Sequence, residues 1–226
     1  MANNLNKWFS SILYITLGSA CVANLRLTPD GPQIMIHEGG YPFVYEIGVI
    51  GIVVLSFGTY LVRKPAVSQI ARLGIYGLLL FYLPIFFNFF IREYNPVFII
   101  GTGDLRNQIE LFFFGIALLL YPIEERVIRG AFLLVVIMAL ANSLYAVLSQ
   151  LGIVQPMYVT GGTRGDFVRQ SGFFEYPGYL GVLSAIAISY SLVTYSHRRL
   201  LLALILAGCL AGIVAGDSRT GMFAVG

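Results

Sequence analysis

Long apolar runs separated by short polar stretches dominate the chain. The hydropathy pattern predicts membrane helices over 8–25, 43–62, 73–91, 108–123, 131–151, 178–195 and 200–216. A further apolar run opens near Met222, and the chain stops at Gly226. Runs of about 20 apolar residues suit a bilayer, because hydrocarbon offers backbone N–H and C=O groups no partner outside a helix. The expected fold is all-α: a polytopic transmembrane helical bundle of about seven spans plus the start of an eighth, forming a single transmembrane domain over 1–226. A stop inside an apolar run predicts that the chain is the front part of a longer protein.

Composition sharpens this picture. The 226 residues are 58% hydrophobic and 11% charged, with a mean hydropathy of +0.81. A soluble domain carries about 25% charge, so a soluble enzyme core is excluded. Lys7 followed by the apolar stretch 8–23 resembles a signal peptide, and Leu17 to Cys21 resembles part of a lipoprotein cleavage site. Gly18 falls where such a site needs a bulky aliphatic residue, so an uncleaved first helix is expected. Cys21 and Cys209 both sit inside apolar runs, which predicts packed thiols and no disulfide framework.

The charges orient the bundle. With the amino terminus in the cytoplasm, the cytoplasmic segments hold eight basic residues (Lys7, Arg63, Lys64, Arg72, Arg126, Arg129, Arg198 and Arg199) against the acids Glu124 and Glu125. The opposite side takes Arg26, Arg92, Arg106, Arg164, Arg169, Arg219 and the nine remaining acids. This bias follows the positive-inside rule. The longer connections 26–42, 92–107 and 152–177 all fall outside, and in a bacterium this makes the chain a multi-pass protein of the inner membrane.

Two stretches carry candidate chemistry. Arg169-Gln-Ser171-Gly172-Phe-Phe174 precedes Pro177 and a span, and Asp217-Ser218-Arg219-Thr-Gly221 follows one helical hairpin later, on the same external side. Guanidinium forks bind phosphate oxygens in pairs and stay charged at any relevant pH. Arg169 and Arg219 are therefore candidate anion-binding residues, with hydroxyls from Ser171 and Ser218 as further donors. Gly172 and Gly221 allow backbone or ligand to come close. Pro177 suits a helix start, whose amino-terminal dipole also favours an anion. The alternative for both arginines is snorkelling to lipid headgroups. Arg164 lies close by in sequence and Glu46 lies within the second span, where an acid is a functional candidate or an interfacial one. Asp166, Glu175 and Asp217 are either general bases, metal ligands, arginine partners or solvated acids. Asn88, Asn142 and Gln150 are expected to form interhelical hydrogen bonds. His37 falls in an external loop and His197 in a basic turn. No spacing suggests a metal site, a cofactor motif or a nucleic-acid face.

The segment 164–226 resembles the O-antigen ligase and O-antigen polymerase family. The likeness rests on Arg169-x-x-Gly172-x-Phe174, the Pro177 turn at a helix start, and Ser218-Arg219-x-Gly221 one hairpin later. Gly178 departs from the asparagine that many members carry after the proline. The resemblance implies a metal-independent glycosyltransferase that takes a glycan from undecaprenyl diphosphate on the periplasmic face. Acceptors in the family are lipid A-core, a second lipid-linked repeat, or protein. It further implies that Arg169 and Arg219 hold the donor's diphosphate, and that the base activating the acceptor lies beyond residue 226. This chain alone is accordingly expected to be inactive. A transporter or flippase for an anionic substrate, and a non-catalytic membrane remnant, remain as alternatives.

Overall fold

The computed structural model describes residues 2–22, 25–34, 42–92, 102–156, 163–164, 167–168, 170, 172–174 and 177–216. Seven helices occur among them: α1 (Ala2–Ala20), α2 (Val44–Arg63), α3 (Gln69–Arg92), α4 (Thr102–Leu120), α5 (Glu125–Gln150), α6 (Pro177–Thr194) and α7 (Arg199–Ala215). Each coincides with one of the apolar runs. Among the described residues, three helices are long and apolar enough to cross a membrane: Val44–Arg63, Gln69–Phe87 and Glu125–Gln150. The described apolar stretches Gln108–Leu120, Gly178–Thr194 and Arg199–Ala215 are shorter. Polar first turns, with Asn4, Asn6 and Lys7, dilute the apolar character of α1. The α7 helix, at 17 residues, extends about 26 Å, somewhat less than a hydrocarbon core of about 30 Å.

Two small hairpins interrupt the helical order. β1 (Leu25–Thr28) pairs antiparallel with β2 (Gly31–Ile34), and the Thr28 hydroxyl donates to the Gly31 carbonyl at 2.8 Å across the turn. The Arg26 guanidinium lies 4.0 Å from the ring centre of Phe43. β3 (Thr163–Arg164) pairs with β4 (Phe167–Val168). Strands of two to four residues are too short for alternation to announce them.

The chain divides into two compact units, one formed by Met1–Leu13 with Glu46–Glu124 and the other by Tyr14–Tyr45 with Glu125–Gly226. In the first unit α3 packs on α4. Gly74 faces Leu119 and Gly115 faces Leu78, each glycine sitting where a methyl group would meet the leucine at about 3 Å. The rings of Tyr82, Phe86 and Phe112 interlock with centroids 5.3–5.9 Å apart. In the same unit Phe9 stacks on Tyr121 at 3.8 Å. Asn6 accepts from the Tyr121 hydroxyl at 2.8 Å and donates to Glu124 at 3.1 Å.

The second unit is built on α5, α6 and α7. Its core runs through Val136, Ala139, Ala146, Leu180, Ala187, Ile188, Ile205, Cys209 and Ile213. Small residues let the backbones approach closely. A side chain at Gly212 would strike the Cα of Ser143 at 2.9 Å, and one at Gly208 would strike Leu140 at 2.7 Å. Ser143 and Ser184, both buried, face each other at 3.5 Å between α5 and α6. Buried small polar residues with large apolar residues such as Ile137, Leu144, Val193 and Leu204 outside are the arrangement expected when the surroundings are hydrocarbon. In α2 the pattern repeats: Glu46, Val49, Ile52, Ser56 and Thr59 are buried, and Ile50, Val54, Leu61 and Val62 are exposed.

A tight turn ends α5. Gly152 adopts φ +71°, its N–H donates to Ser149 O at 3.0 Å, and Ile153 N–H donates to Leu148 O at 2.9 Å. This pair of bonds satisfies carbonyls that a helix end otherwise leaves open, and it needs a left-handed residue that glycine supplies without penalty.

Candidate functional site

The residues around the first arginine-bearing stretch are held at one end of the second unit, and Asn142 of α5 is the centre of that arrangement. Its side chain is fully buried. The amide nitrogen donates to Met138 O at 2.8 Å and to Cys21 O, just past the end of α1, at 3.4 Å. The amide oxygen accepts the backbone N–H of Phe173 at 2.8 Å. One side chain thus ties α5, the end of α1 and the stretch before α6.

Gly172 makes this approach possible. It has φ +65°, and a Cβ there would lie 2.8 Å from the backbone oxygen of Asn142 and 3.0 Å from its amide oxygen. Position 142 lies eight residues before the last residue of α5, Gln150, so the stretch enters the helical layer about 12 Å below that end. The Phe173 ring packs against Tyr145 at 4.8 Å, and the Tyr145 hydroxyl donates to Gln155 O at 2.8 Å. Phe174 is buried among the core residues.

A second tether reaches α7. The backbone N–H of Gln170 donates to Ala215 O at 3.1 Å. Ala215 ends α7, and its carbonyl is one of those a helix terminus leaves without an internal donor. Gln170 itself is buried. The stretch before α6 and the terminus of α7 are therefore joined directly, and Pro177 opens α6 as the sequence predicts.

Of the residues predicted to form a site, Gly172 takes the turn just described. Arg164 lies in β3, paired with Phe167. Glu46 is buried in the first turn of α2, in the other unit, where a carboxylate is favoured by the helix dipole. Arg169, Ser171, Ser218, Arg219 and Gly221 lie outside the described residues, as do Asp166, Glu175, Asp217 and His37. Asn142 and Gln170 hold this arrangement together, and the sequence showed only part of what they do. Asn142 does make the interhelical bond expected of it, and a mid-span asparagine is a visible signal. Nothing in the sequence marked its second role toward Phe173, and nothing marked Gln170 as a bridge to α7.

Comparison of the chain with protein-family models, with curated proteins and with solved structures gives no match in any of the three.

Proposed function

We propose that the chain is a multi-pass inner-membrane protein with a cytoplasmic amino terminus, and that it belongs to the machinery of surface-polysaccharide assembly. In this reading it takes part in glycosyl transfer from an undecaprenyl-diphosphate-linked glycan to lipid A-core or a growing chain on the periplasmic face. Arg169 and Arg219 hold the donor's diphosphate, with Ser171, Gly172, Ser218 and Gly221 beside them. Neutralising the departing diphosphate stabilises the transition state without a metal.

The observation that carries this reading is the Gln170–Ala215 hydrogen bond at 3.1 Å. Arg169 is the residue before Gln170, and Arg219 follows Ala215 by four residues. Backbone reach is about 3.8 Å for the first step and at most about 14 Å for the second. Two guanidinium groups leashed that closely are able to serve one diphosphate. The clustering of Cys21, Phe173 and Ala215 at one end of the second unit also accords with helices that alternate across the membrane.

The test is glycan transfer in cells carrying Arg169→Ala or Arg219→Ala protein, with membrane insertion checked in parallel. Loss of transfer at normal insertion is expected in each. Lysine at either position restores activity partly, since it lacks the two-pronged geometry. Undiminished glycan display in both alanine variants overturns the assignment.

A further inference from the structure

The first unit contains a cleft that the reading above does not use. It measures about 410 Å³ and is lined by Tyr60 of α2, Pro65 and Val67 of the following turn, Arg72 and Tyr76 of α3, and Leu120 of α4. The segment 60–76 around it holds Arg63, Lys64 and Arg72 and no acid. All three basic side chains are exposed, and among the described residues none pairs with a carboxylate. The Arg72 Nε donates to Val67 O at 3.2 Å, which fixes the guanidinium on the turn with its terminal nitrogens directed away from that bond. Lys64 is held in the left-handed region at φ 43°, a conformation that L side chains adopt at a steric cost. Its N–H donates to Tyr60 O at 2.8 Å, so this left-handed residue closes the end of α2 and fixes the turn that lines the cleft.

The walls of the cleft fix the kind of ligand. It sits where α2 and α3 meet, and these are two of the three helices able to span a membrane. Its surroundings are apolar and outward-facing, with Val62 85% and Ile70 81% exposed. Tyr60 and Tyr76 are residues that favour the boundary between hydrocarbon and headgroups. A soluble anion would meet the basic groups but leave the apolar walls wet. A phospholipid satisfies both.

We propose that this cleft is a site for an anionic glycerophospholipid. Arg72 takes the headgroup phosphate, Arg63 and Lys64 supply the surrounding positive field, and Leu120 and Ile75 receive the first methylenes of an acyl chain. The proposal rests on the chain being embedded in a membrane and is independent of the glycosyl-transfer reading.

The experiment is native mass spectrometry of the full chain in mild detergent, titrated with phosphatidylglycerol or phosphatidylcholine. Phosphatidylglycerol is expected to bind more tightly. Arg72→Gln is expected to weaken it about five-fold, the change associated with one basic group at an anionic surface. Arg126→Gln, at the exposed start of α5, is expected to leave it unchanged. Arg63→Gln with Lys64→Gln alters only exposed side chains and gives an independent reading, with weakening of at least the same size expected. Equal affinity for the two lipids overturns the proposal. So does an equal loss in the Arg72 and Arg126 variants, which reveals diffuse surface charge, or displacement of the lipid by inorganic phosphate alone, which reveals a soluble-anion site.

Discussion

The amide oxygen of Asn142 accepts the backbone N–H of Phe173 at 2.8 Å, across 31 residues of sequence. A side chain in the middle of a long apolar helix thereby decides where the stretch that begins at Arg169 meets the bundle. Replacing Asn142 with leucine keeps the branching and the number of heavy atoms, adds some volume, and removes every one of its side-chain bonds. The Phe173 N–H is then left buried without an acceptor. Stability is expected to fall by about 2–4 kcal/mol, measured by thermal unfolding in detergent. A change under about 0.5 kcal/mol would show that the bond carries no weight.

Two neighbouring glycines should respond in opposite directions. Gly172→Ala forces a side chain into a left-handed residue and against the Asn142 backbone, 2.8 Å away. A loss of about 2 kcal/mol or more is expected. Gly178→Ala, with nothing within 4 Å of the added methyl and a helical backbone, is expected to be neutral or to stabilise by up to about 1 kcal/mol. Unfolding midpoints of the two variants, measured side by side, check this difference in sign.

The α5–α7 crossing offers a chemical readout. Cys209 is fully buried beside it. In a Cys21→Ala background, Gly212→Val is expected to push α7 off Ser143 and to speed reaction of Cys209 with N-ethylmaleimide by at least about ten-fold, as local opening becomes easier. Gly58→Ala, where the added group meets nothing within 4 Å, serves as the control and should leave the rate alone. Identical rates in both proteins would mean the crossing tolerates a larger residue.

Orientation is open to direct labelling. His197 and Asp30 are both exposed. In a background carrying Cys21→Ala and Cys209→Ala, Asp30→Cys should react with an impermeant maleimide on spheroplasts. His197→Cys should react only after the membrane is broken. The reverse pattern would place the amino terminus outside and remove the periplasmic assignment of the arginine-bearing stretches.

The helices were legible because hydrocarbon imposes one pattern on anything that crosses it. The run predicted at 43–62 is α2 at Val44–Arg63, and that at 178–195 is α6 at Pro177–Thr194. The start of α1 was not legible, since hydropathy opens the run at residue 8 and the helix begins at Ala2. Its polar first turns are stabilised by specific partners, Asn6 with Tyr121 and Glu124, that lie more than a hundred residues away. The same limit applies at the candidate site. Gly172 announces a close approach, and the sequence has no means of saying that the approaching group is the Asn142 backbone. The two hairpins escaped for a third reason: β1 begins at Leu25, within the apolar run assigned to the first helix, and β3 and β4 have two residues each.

The position of Asn142 also bears on the order in which its bonds can form. If α5 spans a membrane, it enters during synthesis with Met138 O and Cys21 O already available to the amide nitrogen, while the Phe173 N–H is polymerised 31 residues later. Until then the amide oxygen faces a medium in which an unmet polar atom costs several kcal/mol. Apolar outer residues such as Leu133, Ile137 and Leu144 carry the insertion of α5 through that interval. The stretch before α6 is consequently a late-closing latch.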